Sequence, residues 1–449
     1  MTKNPPGPGF WQALKTGMKF SQDALGTLRR WHRDYGDLVY MNIGGMRYYW
    51  LFHPDLARQI LVTQAKLFRR TGRQVDVLRE WDGDGLVTSD GEFWVRQRRL
   101  VQPAFHPKRF AAYGEAMTAS TSRLVDRWQS QRADALEMNS EMTDLTLEIM
   151  ARTFFGADLS GQTKSLGEAV AVLSEYATRE IGKPFSLPNW VPLPSIRRKV
   201  QAVRFLNETI DGMIQQRRNS PDDRGDLLSM LLQATDEEGD GRGMTDEQVR
   251  HEAMTLFMAG HDTTAGTLPW VWYLLAKHPE TEARVLEELD RVLAGRTPQA
   301  EDLPQLPYTQ MVIKETLRLY PQAYVLFARV ASEDLELGGY QIPRGSQLYP
   351  SPYVIHHDPR WYPDPERFDP ERFSPERFEQ LPACAWIPFG AGARACIGQA
   401  FAMLEMTLIV ATVLQRVRLA LAPDQVDPEP LALFSLRPKG GLRMRFQPR

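Results

Sequence analysis

The sequence predicts a mainly α-helical protein with a smaller β region, and three observations carry that reading. From about Glu92 to Tyr320 the pattern is mostly helical, with interruptions at Pro184 to Pro194 and Gly239 to Gly243. Two β-rich patches, roughly residues 37–64 and 327–354, flank that stretch, far apart in the chain yet suited to pairing in one sheet. A proline-rich, poorly periodic run from Pro359 to Pro388 then precedes a last long helix. No linker, charge block or repeat divides the 449 residues, so one domain spanning 1–449 is expected.

Composition narrows the function. Hydrophobic residues make up 43% and charged residues 24%, the mix of a globular protein. Lys+Arg total 54 against Asp+Glu 56, a net charge of -2, which gives no support to nucleic-acid binding. No signal-like apolar stretch follows Met1, and no run approaches the ~18 apolar residues a spanning helix needs. A cytoplasmic monomer without a membrane anchor is expected. Only Cys384 and Cys396 are present, which argues against a disulfide framework.

Taken in order, Asp37 to Ile43 and Arg47 to Phe52 flank Gly44-Gly45 and read as a β-hairpin. In Gly91 to Arg99, Trp94 and Arg98 stand four apart on one helix face. Thr245-Asp246-Glu247-Gln248 is a capping box opening a long apolar helix. That helix carries Ala259-Gly260-His261-Asp262-Thr263-Thr264, where Gly and Thr cost helix stability. Thr263 can bond back to the Ala259 carbonyl and loosen the turn, and Pro269 should sharpen a kink. Asp262 beside Thr263 can relay protons. Glu315 and Arg318 share a helix face just before Tyr320-Pro321. Three Pro-Glu-Arg-Phe copies, at Pro365, Pro370 and Pro375, mark the proline-rich coil.

The most informative segment is Phe389-Gly390-Ala391-Gly392-Ala393-Arg394-Ala395-Cys396-Ile397-Gly398. Its cysteine opens a helix, whose N-terminal N–H groups favour a thiolate. Gly390 and Gly392 let the loop bend toward the sulfur, and Gly398 leaves space beside it. Gly390, Gly392 and Ala395 also fit a dinucleotide fingerprint, but no acidic residue stands about twenty positions on.

This loop resembles the F-G-x-G-x-R-x-C-x-G signature of the cytochrome P-450 family, the haem-thiolate monooxygenases, at every defined position. Four further motifs agree in order: Pro5-Pro6-Gly7-Pro8, Trp94/Arg98, Ala259 to Thr264, and Glu315/Arg318 with Arg372 as third member. The resemblance implies haem b with its iron on Cys396, the propionates on Trp94, Arg98, Arg329 and Arg394, and Phe389 and Gly398 around the sulfur. It places Ala259 and Gly260 beside the oxygen site, with Asp262 and Thr263 as an acid–alcohol pair. It further implies insertion of one atom of O2 into an apolar substrate such as a fatty acid, terpenoid or carotenoid. Electrons would come from a separate ferredoxin or flavodoxin with an NAD(P)H-dependent reductase, docked near Arg96, Arg99, Lys108 and Arg109. Substrate contacts are expected from Val75–Val87, Phe185–Phe205, Gln322–Phe327 and Leu433–Ser435. The alternatives are a peroxide-driven haem peroxygenase, which the intact Asp262 and Thr263 disfavour, and a non-catalytic haem-thiolate ligand binder.

Overall fold

A computed structural model describes residues 4–20, 22–130, 135–156, 161, 163–183, 186–219 and 225–449. Its strands are β1 (Leu38–Ile43), β2 (Met46–Leu51), β3 (Phe68–Arg69), β4 (Leu136–Glu137), β5 (Arg329–Ala331), β6 (Leu335–Leu337), β7 (Tyr340–Ile342), β8 (Gln347–Pro350), β9 (Val417–Leu421), β10 (Pro430–Ala432), β11 (Leu436–Pro438) and β12 (Arg443–Pro448). The hairpin forms as read, β1 antiparallel to β2 with Ile43 opposite Met46. The two distant patches do share a sheet, in the order β1-β2-β8-β5-β3, with β2 and β8 parallel. Strand β4, inside the stretch expected to be helical, pairs with β12 across some three hundred residues. Pro6 accepts a hydrogen bond from the Tyr40 N–H, and Gly7 lies against the Tyr40 carbonyl where a β-carbon would collide.

The helical body is built around the helix Asp246–Lys277, hereafter the long helix. Its capping box is in place, with Gln248 N–H donating to Thr245 Oγ1 at 3.2 Å and the reciprocal bond at 3.1 Å. The segment stays helical on both sides of Pro269. Beside it, Trp270 stacks on Tyr320 with centroids 3.8 Å apart. The helix Met138–Phe155 packs along it. Gly260 lets the two close up, since a β-carbon there would press on Met150. Thr146 and His261 bond across this contact at 2.9 Å, and burial pushes the His261 ring down to about 4, so it is neutral. The helix Gln399–Arg416 is buried along nearly all its length and packs against Phe110–Ser130 and Pro307–Leu319.

A polar contact fixes the loop after the helix Arg73–Asp82 to the long helix. The Leu86 N–H donates to Glu252 Oε2 at 3.0 Å, and Gln97 Nε2 to Glu252 Oε1 at 3.2 Å. Gly83, at φ 61°, and Gly85 leave no room for a side chain against His251 and Thr255. Burial pushes the Asp82 carboxyl up to about 7 and that of Glu252 up to about 8, the Asp82 charge adding to the latter. In the unfolded chain both lose their protons near pH 4. Between about pH 4 and 8 the folded state therefore holds more protons, and stability falls as pH rises through that window. Thermal unfolding should show a loss on the order of 6 kcal/mol from pH 5 to pH 8. Glu252→Gln should flatten that slope, and an unchanged slope would refute the assignment.

Candidate active site

The cysteine loop folds as its glycines dictate. Gly390 and Gly392 sit at φ 70° and 71°, and a β-carbon on Gly392 would collide with the Leu61 carbonyl. The Cys396 N–H donates to Phe389 O at 2.8 Å, closing the loop around the sulfur. The helix itself starts three residues after the cysteine, at Gln399, so Cys396 lies just before it rather than opening it. The Gly398 N–H is directed at the sulfur. Burial pushes the thiol up, while that N–H and the Arg98 charge pull it down. Cys396 is exposed only toward an interior cavity that it helps to line.

That cavity holds about 280 Å³, near the lower end of the roughly 300–1,000 Å³ of ordinary ligand sites. Trp94, Arg98, Ala259, Gly260, Thr263, Arg329, Phe389, Arg394, Cys396 and Gly398 all line it. Asp262 does not. Its carboxylate is buried and paired with Arg437 of β11, and its second oxygen has no hydrogen-bond partner among the described residues. The cavity face of the helix carries Ala259, Gly260, Thr263 and Thr264, and at about 100° per residue Asp262 falls outside it, on the side of β11. Thr263 bonds back to Ala259 O at 2.9 Å, as the sequence suggested.

One wall of the cavity is strongly cationic. Arg394 pairs with Asp90, donates to Ser89 O at 2.8 Å and lies 4.0 Å over the Trp94 ring. Arg98 Nη1 donates to Ala395 O at 3.0 Å. Burial lowers Arg329 to about 10 and Arg394 to about 10. Arg70 is a fourth member that the sequence reading missed. It sits 4.1 Å over the Phe327 ring, its Nε is unpaired, and burial with repulsion from Arg329 and Arg394 pushes its basicity far down. Against these four charges the wall offers Asp90 and, once deprotonated, Cys396. Two positive charges are left over, and buried charge is costly unless paired. Haem b fits: its two propionates would balance the wall while its iron meets the Cys396 sulfur.

Other expectations divide. The Glu315–Arg318 pair forms at 2.6 Å, with Arg372 Nε 3.5 Å from Glu315, so Arg372 is the right copy among the Pro-Glu-Arg-Phe repeats. Of the four substrate segments, Leu86 and Val87 of the first and Gln322, Ala323, Leu326 and Phe327 of the third line the cavity. Tyr324 and Val325 turn instead into a separate cluster with Trp31 and Phe52. Leu433–Ser435 does not line it. Nor does 186–205, which packs outside, with Lys199 Nζ 2.5 Å from Glu80 on the Arg73–Asp82 helix. Pro184 and Phe185 lie outside the described residues. Arg96 and Arg99 are less free for a docking partner than expected. Arg96 donates to the carbonyls of Arg242 and Gly243, and Arg99 pairs with Asp236 at 2.9 Å.

Among the described residues no helix is long and apolar enough to cross a membrane. The family model described as Cytochrome P450 matches residues 3–443. The chain is 39% identical to "Cyclooctatin synthase" of Streptomyces melanosporofaciens over 92% of its own length and 89% of that protein's. It is 40% identical to "Cyclooctat-9-en-7-ol 5-monooxygenase" of the same organism, over 87% and 84% of the two chains. It is 36% identical to "Pentalenene oxygenase" of Streptomyces avermitilis, over 98% and 94%. The chain therefore belongs to the cytochrome P450 family and is a monooxygenase that carries haem b and draws on dioxygen, a redox partner and an organic substrate.

Proposed function

We propose that this monooxygenase, a single domain acting as a monomer in the cytoplasm, hydroxylates or epoxidises a polycyclic terpenoid. In this reading a ferredoxin or flavodoxin delivers the electrons. The observation that carries the substrate class is the apolar wall facing the long helix, Leu86, Val87, Ala323, Leu326 and Phe327, with Leu256 on the helix itself. Such a wall suits a rigid hydrocarbon skeleton, which loses little conformational entropy on binding. Relatives named for oxidising cyclooctat-9-en-7-ol and pentalenene favour a terpenoid over a fatty acid or carotenoid. Titration with polycyclic terpenes and with fatty acids, read by the haem spin-state shift, tests this. A response to fatty acids alone would overturn it.

When bound, haem supplies the site at which dioxygen is held and reduced. The chain's own residues then have three tasks. Cys396 holds the iron, the four arginines fix the ring's carboxylate edge, and the long helix manages protons. Thr263 would hold a proton donor at the cavity wall. Asp262 would pass protons to it from the Arg437 side, and must leave Arg437 to do so. Asp262→Asn keeps the shape and removes the titration. It is expected to lower turnover about 100-fold, within the usual range for a general acid, with substrate binding unchanged. Turnover within twofold of the parent would remove Asp262 from the path.

A further inference from the structure

The substrate side of the cavity is almost without free polar groups. Thr263 and Thr267 line it, but their hydroxyls are spent on the long helix's own carbonyls, bonding Ala259 O and Thr263 O at 2.9 Å each. Thr255 and Thr264 line it as well, but their hydroxyls are turned to Asp82 and Gly85 and to Glu405. Gln322 differs. It follows the helix Pro307–Leu319, lines the cavity and is only 5% exposed. Its Nε2 reaches Tyr320 O at a long 3.4 Å, and its Oε1 is buried with no hydrogen-bond partner among the described residues. A buried amide so poorly paired costs stability unless something else completes its bonds.

The opposite wall is shaped to receive this head group. Gly266 of the long helix lies against Gln322 Oε1, and a β-carbon there would fall on that oxygen. The helix thus gives up a side chain, at a cost in helix stability, at the one place where the amide needs room. The cavity lining also includes the apolar side chains of Leu317, Ala323 and Leu326, which can bond no polar group.

We propose that Gln322 is the specificity-determining residue of the pocket, its carboxamide seating a hydroxyl or carbonyl already present on the terpenoid. This inference rests on the terpenoid reading above and sharpens it to an oxygenated polycycle. With Oε1 lodged against Gly266, the amide N–H is the group left to offer, and it can donate to an alcohol or a ketone oxygen alike. Held at that point, the skeleton presents one region to the reacting centre, so the anchor sets regiochemistry as well as affinity. In reaction order, the substrate must come from a step that installs one oxygen on a cyclised hydrocarbon. A water-quenched cyclisation or a prior monooxygenation would do so.

The test uses the holoenzyme and a matched pair of ligands: a polycyclic diterpene hydrocarbon and its monohydroxy derivative. Dissociation constants are read from the haem spin-state shift. The parent should bind the alcohol about tenfold more tightly than the hydrocarbon, the range of one net hydrogen bond. Gln322→Met, close in shape but apolar, should bring the ratio near one while leaving the hydrocarbon's affinity intact. Gly266→Ala, which displaces the amide from the other side, should shrink the ratio in the same way. A ratio in Gln322→Met equal to the parent's would overturn the assignment, since a packing role would shift both ligands alike. Absence of a shift with either compound would overturn the terpenoid reading itself.

Discussion

Replacing Cys396 with alanine is expected to abolish the strongly red-shifted Soret band given by the dithionite-reduced protein with carbon monoxide. The loop around this sulfur is set by backbone, through the Cys396 N–H on Phe389 O and the glycine bend at Gly392, so the variant keeps its shape. The cationic wall of Arg70, Arg98, Arg329 and Arg394 is also untouched, and haem still has carboxylate partners there. What vanishes is the ligand. No histidine and no other thiol lines the cavity among the described residues, so no second thiolate can take the iron in its place. A thiolate pushes electron density toward the oxygen side, and that electronic signature is what the band reports. The band should be lost altogether. Cys384→Ala should leave it unchanged, since Cys384 packs against the sheet cluster instead. A red-shifted band surviving in Cys396→Ala would refute the ligand assignment.

How much of this was legible beforehand depends on whether chemistry or topology decided the position. The cysteine loop could be read because its function demands particular residue types at fixed spacing: φ-positive glycines, a cation and a sulfur within ten residues. The Glu315–Arg318 pair was legible for a similar reason, one turn of helix joining both partners. Arg70 was not. It ends the run Phe68-Arg69-Arg70, and only the pairing of β3 with β5, some 260 residues away, turns this arginine toward Arg329. Strand β4 was hidden likewise, since two residues carry no periodicity and its partner lies near the chain's end. Asp262 is a different case. The helix geometry that turns it from the cavity was available in the sequence, but adjacency in the motif outweighed it. Tyr324 and Val325 looked like pocket residues because they are apolar, and apolarity alone does not say which of three clusters a side chain joins.

Arg318→Ala is expected to prevent recovery of folded, haem-loaded protein. The Glu315 and Arg318 side chains are both fully buried, joined by bonds of 2.6 and 2.7 Å. Truncating Arg318 leaves a carboxylate in the interior without its cation, which typically costs about 3–5 kcal/mol. That approaches the whole stability of an ordinary domain, about 5–15 kcal/mol. Arg318 also does more than pair. Its Nη1 donates to the carbonyls of His356 and Pro365 at 2.8 Å each, and its Nη2 to Arg367 O at 3.2 Å. Glu315 in turn accepts from the Asp369 N–H at 2.9 Å. One guanidinium therefore binds a helix to a coil that has almost no regular structure of its own. This separates it from a simple buried ion pair, which apolar residues can often replace without loss. Here Glu315→Leu combined with Arg318→Met should not restore stability, because three carbonyls and one N–H would remain unpaired. Arg372→Ala should cost far less, its Nε standing 3.5 Å from the carboxylate and making no hydrogen bond. Soluble yield, haem content and the urea midpoint would rank the variants. A double variant as stable as the parent would show that the pair serves only itself, and that the coil from His356 to Asp369 is held by other contacts.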